Sequence, residues 1–222
     1  MKDQFHLSHA DNLLFARKLL PQSLYSGALM ENIPVSYDDV LNILDGMDIQ
    51  NIPLDYISYI LNLRDGWKEM MQTVHEPITV EYLCRINSFV AKNEGKPCGI
   101  LREDDKEIPR IHRVVPAPNL KDIQTTLNNI LSIDCITQRA ISFFLYGLYH
   151  QLFWECNKQT SFIVANKILI RNGKGMLFLA RDQLPTFHNL VTKFYQTGNA
   201  SPLEYFLFHH CLIGKPPKIP KS

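Results

Sequence analysis

FWECNKQTSFIVANKILIR, residues 153–171, decides the reading of this chain. A turn holding an acid and an amide, Glu155 and Asn157, opens directly into a strongly apolar stretch with helical spacing. Unpaired backbone N–H groups at a helix start, together with the positive end of the helix dipole, make such a turn an anion site suited to phosphate. A carboxylate beside it suits Mg²⁺, which is held by one or two carboxylates and completed by phosphate oxygens. The arrangement therefore predicts a phosphate-binding turn with Glu155 as the candidate metal ligand. The same residue types also serve as ordinary turn formers and helix caps.

Outward from this stretch, apolar residues recur at three- and four-residue spacings and strict alternation is rare, so the chain reads all-α. The spacing predicts helices near 9–20, 36–46, 54–75, 79–93, 120–131, 137–150, 157–172, 183–197 and 201–212. Ser36 stands as a cap before YDDVLNIL, with Asp38 and Asp39 suiting the positive helix end. Gly173 reads as a helix stop after Arg171 and Asn172. One non-helical island, CGILREDDKEIPRIHRVVPAP at 98–118, has a charged centre, apolar flanks and three prolines, and predicts a β-hairpin. The end of the chain, 215–222, is rich in Pro and Lys and is expected to be a disordered tail.

At 222 residues the chain is long enough for one domain with a substantial core, and 45% apolar content is ordinary for a globular protein. Lys and Arg total 23 against 22 acids, so no global field draws it to nucleic acid or an anionic membrane. Cys84, Cys98, Cys135, Cys156 and Cys211 are odd in number and share no C-x-x-C spacing, which predicts reduced thiols and not disulfides or zinc. The histidine pairs His6/His9 and His209/His210 lack a carboxylate or thiol at ligand spacing. There is no secretory signal pattern and no apolar run long enough to span a bilayer. A cytoplasmic protein is expected, and a translocated effector with an uncleaved signal is compatible with the same features.

FWECNKQT followed by ANKILIRNGKG resembles the signature of the Fic family, H-P-F-x-[D/E]-G-N-[G/K]-R-x-x-R. Residues 51–85 (NIPLDYISYILNLRDGWKEMM, then EYLCR), 86–102 (INSFVAKNEGKPCGILR) and 187–214 (FHNLVTKFYQ, then CLIG) also look like a Fic subgroup. The resemblance implies the helical Fido fold, with an N-terminal helical region at 1–50 and a core over 51–214. It implies that the 98–118 hairpin is a flap that holds a target protein by strand addition. Most Fic proteins transfer AMP from ATP to a protein hydroxyl, so ATP, Mg²⁺ and a protein partner are the expected ligands.

The match departs from the pattern where the chemistry lies. In a gapless alignment the family's catalytic His falls on Gln151, its Pro on Leu152, its Gly on Cys156, its first Arg on Gln159 and its second on Phe162. An imidazole removes the proton of the attacking hydroxyl, and a carboxamide cannot. His150 is the one adjacent imidazole and would serve only through a one-residue bulge, since a neighbouring helical residue points about 100° away. Gln159 retains hydrogen bonding to phosphate but loses the charged fork of Arg. Lys158 sits at the permitted Gly-or-Lys position. Phe153, Cys156, Asn157, Lys158 and Gln159 are thus the expected nucleotide-binding residues, Glu155 the metal ligand, and His150 and Gln151 the catalytic candidates.

Many Fic proteins also carry an inhibitory helix, [S/T]-x-x-x-E-[G/N], whose Glu pairs with the second Arg. Here Glu31 and Asn32 take the E-N positions, with Gly27 where Ser or Thr is expected. The two function readings are a Fic-fold protein that is catalytically weak or inactive and acts by binding nucleotide or protein, and an active nucleotidyltransferase with His150 as base.

Overall fold

The computed structural model describes residues 1–47, 52–92, 95–108 and 111–214. In chain order the helices are α1 (His9–Lys18), α2 (Leu20–Met30), α3 (Tyr37–Leu44), α4 (Leu54–Gln72), α5 (Val80–Val90), α6 (Leu120–Leu131), α7 (Ile136–His150), α8 (Asn157–Arg171), α9 (Leu184–Thr197) and α10 (Ser201–His210). Between them lie β1 (Lys106–Ile108), β2 (Arg113–Val115), β3 (Met176–Leu177) and β4 (Leu212–Ile213). The all-α expectation holds, with two small antiparallel ladders, β1–β2 and β3–β4.

Helix α8 is the axis of the molecule because helices pack on it from several sides. From Asn157 to Ile170 nearly every residue is buried, including the polar Asn157, Gln159, Thr160, Ser161, Asn166 and Lys167, so these side chains must find partners inside the protein. Helix α7 returns against it as the other arm of a helical hairpin, the two joined by 151–156. Gly147 permits the contact: a Cβ there would stand 1.8 Å from the Ser161 Oγ. Phe162, on the inner face of α8, meets Phe144 and Trp67 edge-on at 5.4 and 6.4 Å between ring centroids. Helices α1, α4 and α5 pack on the other sides of α8.

The local signals are where the sequence places them. Ser36 and Asp39 form a reciprocal capping box. Helix α8 stops at Gly173, with Lys174 N–H on the Leu169 carbonyl at 2.9 Å and Gly173 N–H on Ile170 at 3.2 Å, both bonds of a Schellman motif. Three expectations need correction. Helix α2 is absent from the helices predicted by apolar spacing, because much of what it buries is small or polar: Ser23, Ser26, Gly27 and Ala28 beside Leu24 and Met30. Helix α10 ends at His210, not 212, because Leu212 and Ile213 pair with Leu177 and Met176. That ladder is a second non-helical region. The hairpin falls within 98–118, registered Lys106 on Val115 and Ile108 on Arg113. The expected tail, 215–222, lies outside the described residues.

Candidate functional site

The connection from α7 to α8 is a strained turn closed by its own side chains. It begins and ends with non-glycine residues in the left-handed region, Gln151 at φ 48° and Cys156 at φ 56°. Each conformation costs about 1–2 kcal/mol, so neighbouring contacts must hold it. Asn157 supplies several. Its Oδ1 accepts from the Phe153 N–H at 2.8 Å, and its Nδ2 donates to the Phe153 carbonyl at 2.6 Å and to Gln151 Oε1 at 3.2 Å. Asn87 on α5 braces the far side, donating to the Glu155 carbonyl at 3.0 Å and to Thr160 Oγ1 at 3.1 Å. Cys156 turns its Sγ to the Val90 carbonyl at 3.3 Å. No side chain caps the start of α8.

A second brace comes from Arg102, whose guanidinium is buried and points at carbonyls. It donates to Gln151 O at 2.6 Å, Pro116 O at 2.6 Å and Asp104 O, with a longer contact to His150 O. The arginine so joins the end of α7 to both roots of the β1–β2 hairpin. Burial lowers its pKa, and Asp105 opposes that shift. From the hairpin Lys106 reaches back to the Trp154 carbonyl. Burial pushes this ammonium below the usual lysine range, with Glu155 pulling the other way.

Between the turn, the hairpin, the end of α2 and one face of α9 lies a cavity of about 540 Å³. Glu31, Asn32, Lys106, Gln151, Glu155, Cys156, Asn157 and Lys158 line it, with His188 and Tyr195 from α9. Lys158 donates to Met30 O at 2.8 Å and forms an ion pair with Glu31 at 3.0 Å. His188 Nε2 lies 3.1 Å from the same carbonyl. Gln159 donates to Gly27 O at 3.0 Å. A Cβ at Gly27 would approach Leu63 Cδ1 to 2.9 Å and Gln159 Oε1 to 3.3 Å, so glycine lets α2 lie close upon α4 and over Gln159.

Most of the residues singled out by sequence converge here, and three do not line the cavity. Phe153 is buried in the core. Gln159 is buried beneath α2. His150 rests its ring on Tyr146, 4.6 Å between centroids, and burial followed by Arg113 lowers its pKa. Gln151 does face the cavity, anchored to Leu148 O at 2.8 Å and to the Tyr195 hydroxyl at 3.3 Å. Burial raises the pKa of that phenol, so it stays neutral.

Lys106, His188, Tyr195, Asn87 and Arg102 escaped the sequence reading. Lys106 sat in the charged EDDKE centre of the hairpin island, where nothing marked it from its neighbours, and His188 had no partner at ligand spacing. Among the described residues no group of three or more His, Cys, Asp or Glu side chains could hold a metal. A cation at Glu155 would thus need oxygens from the ligand itself.

No family model matches the chain and no curated protein sequence matches it. Solved structures do. A fragment of Fic-1 from C. elegans superposes with a TM-score of 0.74 at 17% identity, over 94% of this chain and 64% of that one. This chain has the Fic fold. A Fic domain containing signaling protein from Bacteroides thetaiotaomicron matches with a TM-score of 0.68 at 13% identity, covering 89% of this chain and 80% of its own. A Fic family protein from Desulfovibrio desulfuricans gives the same TM-score and identity over 86% and 62%. The chain therefore spans less than two thirds of two of these three structures. Within the Fic fold, the 151–158 turn, the hairpin and the Glu31 end of α2 are the parts that meet at the cavity. No helix of the described residues is long and apolar enough to cross a membrane.

Proposed function

We propose that the cavity binds the phosphates of a nucleotide, with Mg²⁺ at Glu155, and that the protein transfers AMP weakly or not at all, acting through nucleotide or protein binding. The observation that carries this reading is the anchored Gln151 carboxamide, which lines the cavity where the resemblance expects an imidazole. A carboxamide cannot accept the proton of an attacking hydroxyl. Phosphate binding is supported by the uncapped start of α8 together with Lys158 and Lys106 in the lining. Glu31 is the expected restraint. It engages Lys158, and the position of the family's second arginine is held by Phe162, buried against Phe144 and Trp67. The exposed Val114 on β2 gives the hairpin an apolar side chain to offer an extended segment of a partner protein.

The reading is tested by titrating the protein with ATP and Mg²⁺ in a calorimeter. Saturable binding is expected, about tenfold weaker in Glu155→Ala and tighter in Glu31→Ala, where Lys158 is released to the ligand. No labelling of protein hydroxyls by the wild type is expected. Absence of binding at millimolar ATP would remove the pocket from the reading, and robust metal-dependent labelling would remove the weak catalysis. The alternative of an active transferase with His150 as base draws no support from a ring that packs on Tyr146 outside the cavity lining.

A further inference from the structure

A second cleft, of about 360 Å³, lies at the C-terminal end of α8. Thirteen residues of helix separate Lys158 from Arg171, which places it about 20 Å from the motif turn. Arg139 from α7 and Lys167 and Arg171 from α8 line it, against an apolar wall that includes Ile78, Leu131 and Ile168.

The charge in this cleft is not balanced. None of the three cations has a carboxylate within ion-pair distance among the described residues. Glu69 and Glu76 stand near Lys167, but Arg85 engages both. Lys167 is wholly buried, against the Thr73 carbonyl and the face of the Tyr82 ring, 4.0 Å from the centroid. Burial pushes this ammonium down to about 8. A helix end attracts cations for its own sake, which accounts for Arg171. It does not account for an arginine on the neighbouring helix or for a lysine inside the core. Arg139 is also pre-set: its Nε and one terminal nitrogen both donate to Ile133 O, at 2.9 and 2.6 Å, which fixes the guanidinium plane and leaves three of its five N–H groups for a ligand.

We propose that this cleft is an anion site separate from the motif cavity and takes a small phosphomonoester with an apolar body, the phosphate on Arg139 and Arg171, with the charge of the buried Lys167 behind them, and the body on Ile78, Leu131 and Ile168. Guanidinium groups recognise phosphate through paired, charge-assisted bonds. A buried lysine with no carboxylate gains most from a ligand that brings the missing charge.

The probe is phenyl phosphate, titrated into the full chain and followed by calorimetry and by methyl NMR. Saturable binding is expected, with shifts at Ile78, Leu131 and Ile168. Arg171→Gln alters an exposed side chain and should lower the melting temperature by no more than about 2–4 °C while weakening binding by about tenfold. Lys158→Ala, which disables the motif cavity, should leave this binding within about twofold. Inorganic phosphate should bind more weakly, because it cannot use the apolar wall. Shifts confined to 151–158, binding indifferent to Arg171→Gln, or no saturation below about 10 mM would each overturn the proposal.

Discussion

Lys158, in the first turn of α8, meets a carboxylate, a carbonyl and a cavity; Lys167, about two and a half turns further on, meets a carbonyl and an aromatic face. The first ammonium is partly exposed and matched by Glu31, so its charge is satisfied within the chain. The second is sealed from water and has no carboxylate within ion-pair distance among the described residues. The difference lies in what surrounds each end of the helix. At the N-terminal end, strained backbone is held by Asn87, Arg102 and Asn157, all directed at the turn. At the C-terminal end a relaxed Schellman stop leaves side chains to settle the electrostatics. One helix so carries a built, self-paired site at one end and an unpaired cationic cleft at the other.

Breaking the N-terminal end has the larger effect. Arg102→Met removes a buried charge that satisfies several carbonyls, and it should destabilise the fold by about 3 kcal/mol or more, read as a lower urea midpoint. A loss below about 1 kcal/mol would mean that the turn holds itself. The contrast between the lysines is sharpened by paired variants. Lys158→Met should cost only about 0–1 kcal/mol, as for a partly exposed ion pair. Lys167→Met should be neutral or stabilising at pH 7.

The two lysines should differ in pH dependence too. Because the folded pKa of Lys167 is lowered to about 8, its destabilising effect is fully present below that pH. The effect fades as pH rises towards its unfolded value, so stability gained between about pH 8 and 10 should be smaller in Lys167→Met than in wild type. Equal slopes would mean that Lys167 titrates normally and that the contrast is only geometric. The smallest effect is at Cys156. Cys156→Gly relieves about 1–2 kcal/mol of left-handed strain and gives back about 0.5–1 kcal/mol in chain entropy. A net gain of about 0–1.5 kcal/mol is expected in thermal melts.

What could be read from sequence was mostly what is local. The Ser36 box, the Gly173 stop and the apolar run of α8 each declare themselves within a few residues. Helix α2 did not, since Ser23, Ser26 and Gly27 face inward where periodicity expects bulk. Its terminal acid, Glu31, was found only through resemblance, and its partner Lys158, 127 positions away, could not be paired with it from spacing. Two-residue strands such as β3 and β4 carry no pattern at all. Phe162 lies in the core, because a large apolar residue on a helix buried all round has nowhere else to go.

The β1–β2 hairpin is fastened by three cations, and none of the three contacts is to a carboxylate: Arg102 on Gln151 O, Lys106 on Trp154 O, and Arg113 over the Tyr149 ring at 3.5 Å. All three anchor points fall within 149–154, the hinge from which the motif turn departs. Mechanically, the hairpin is a lever with its fulcrum at that hinge. A pull on Val114 would pass through Arg113 to Tyr149 at the end of α7, and through Arg102 to the backbone of Gln151.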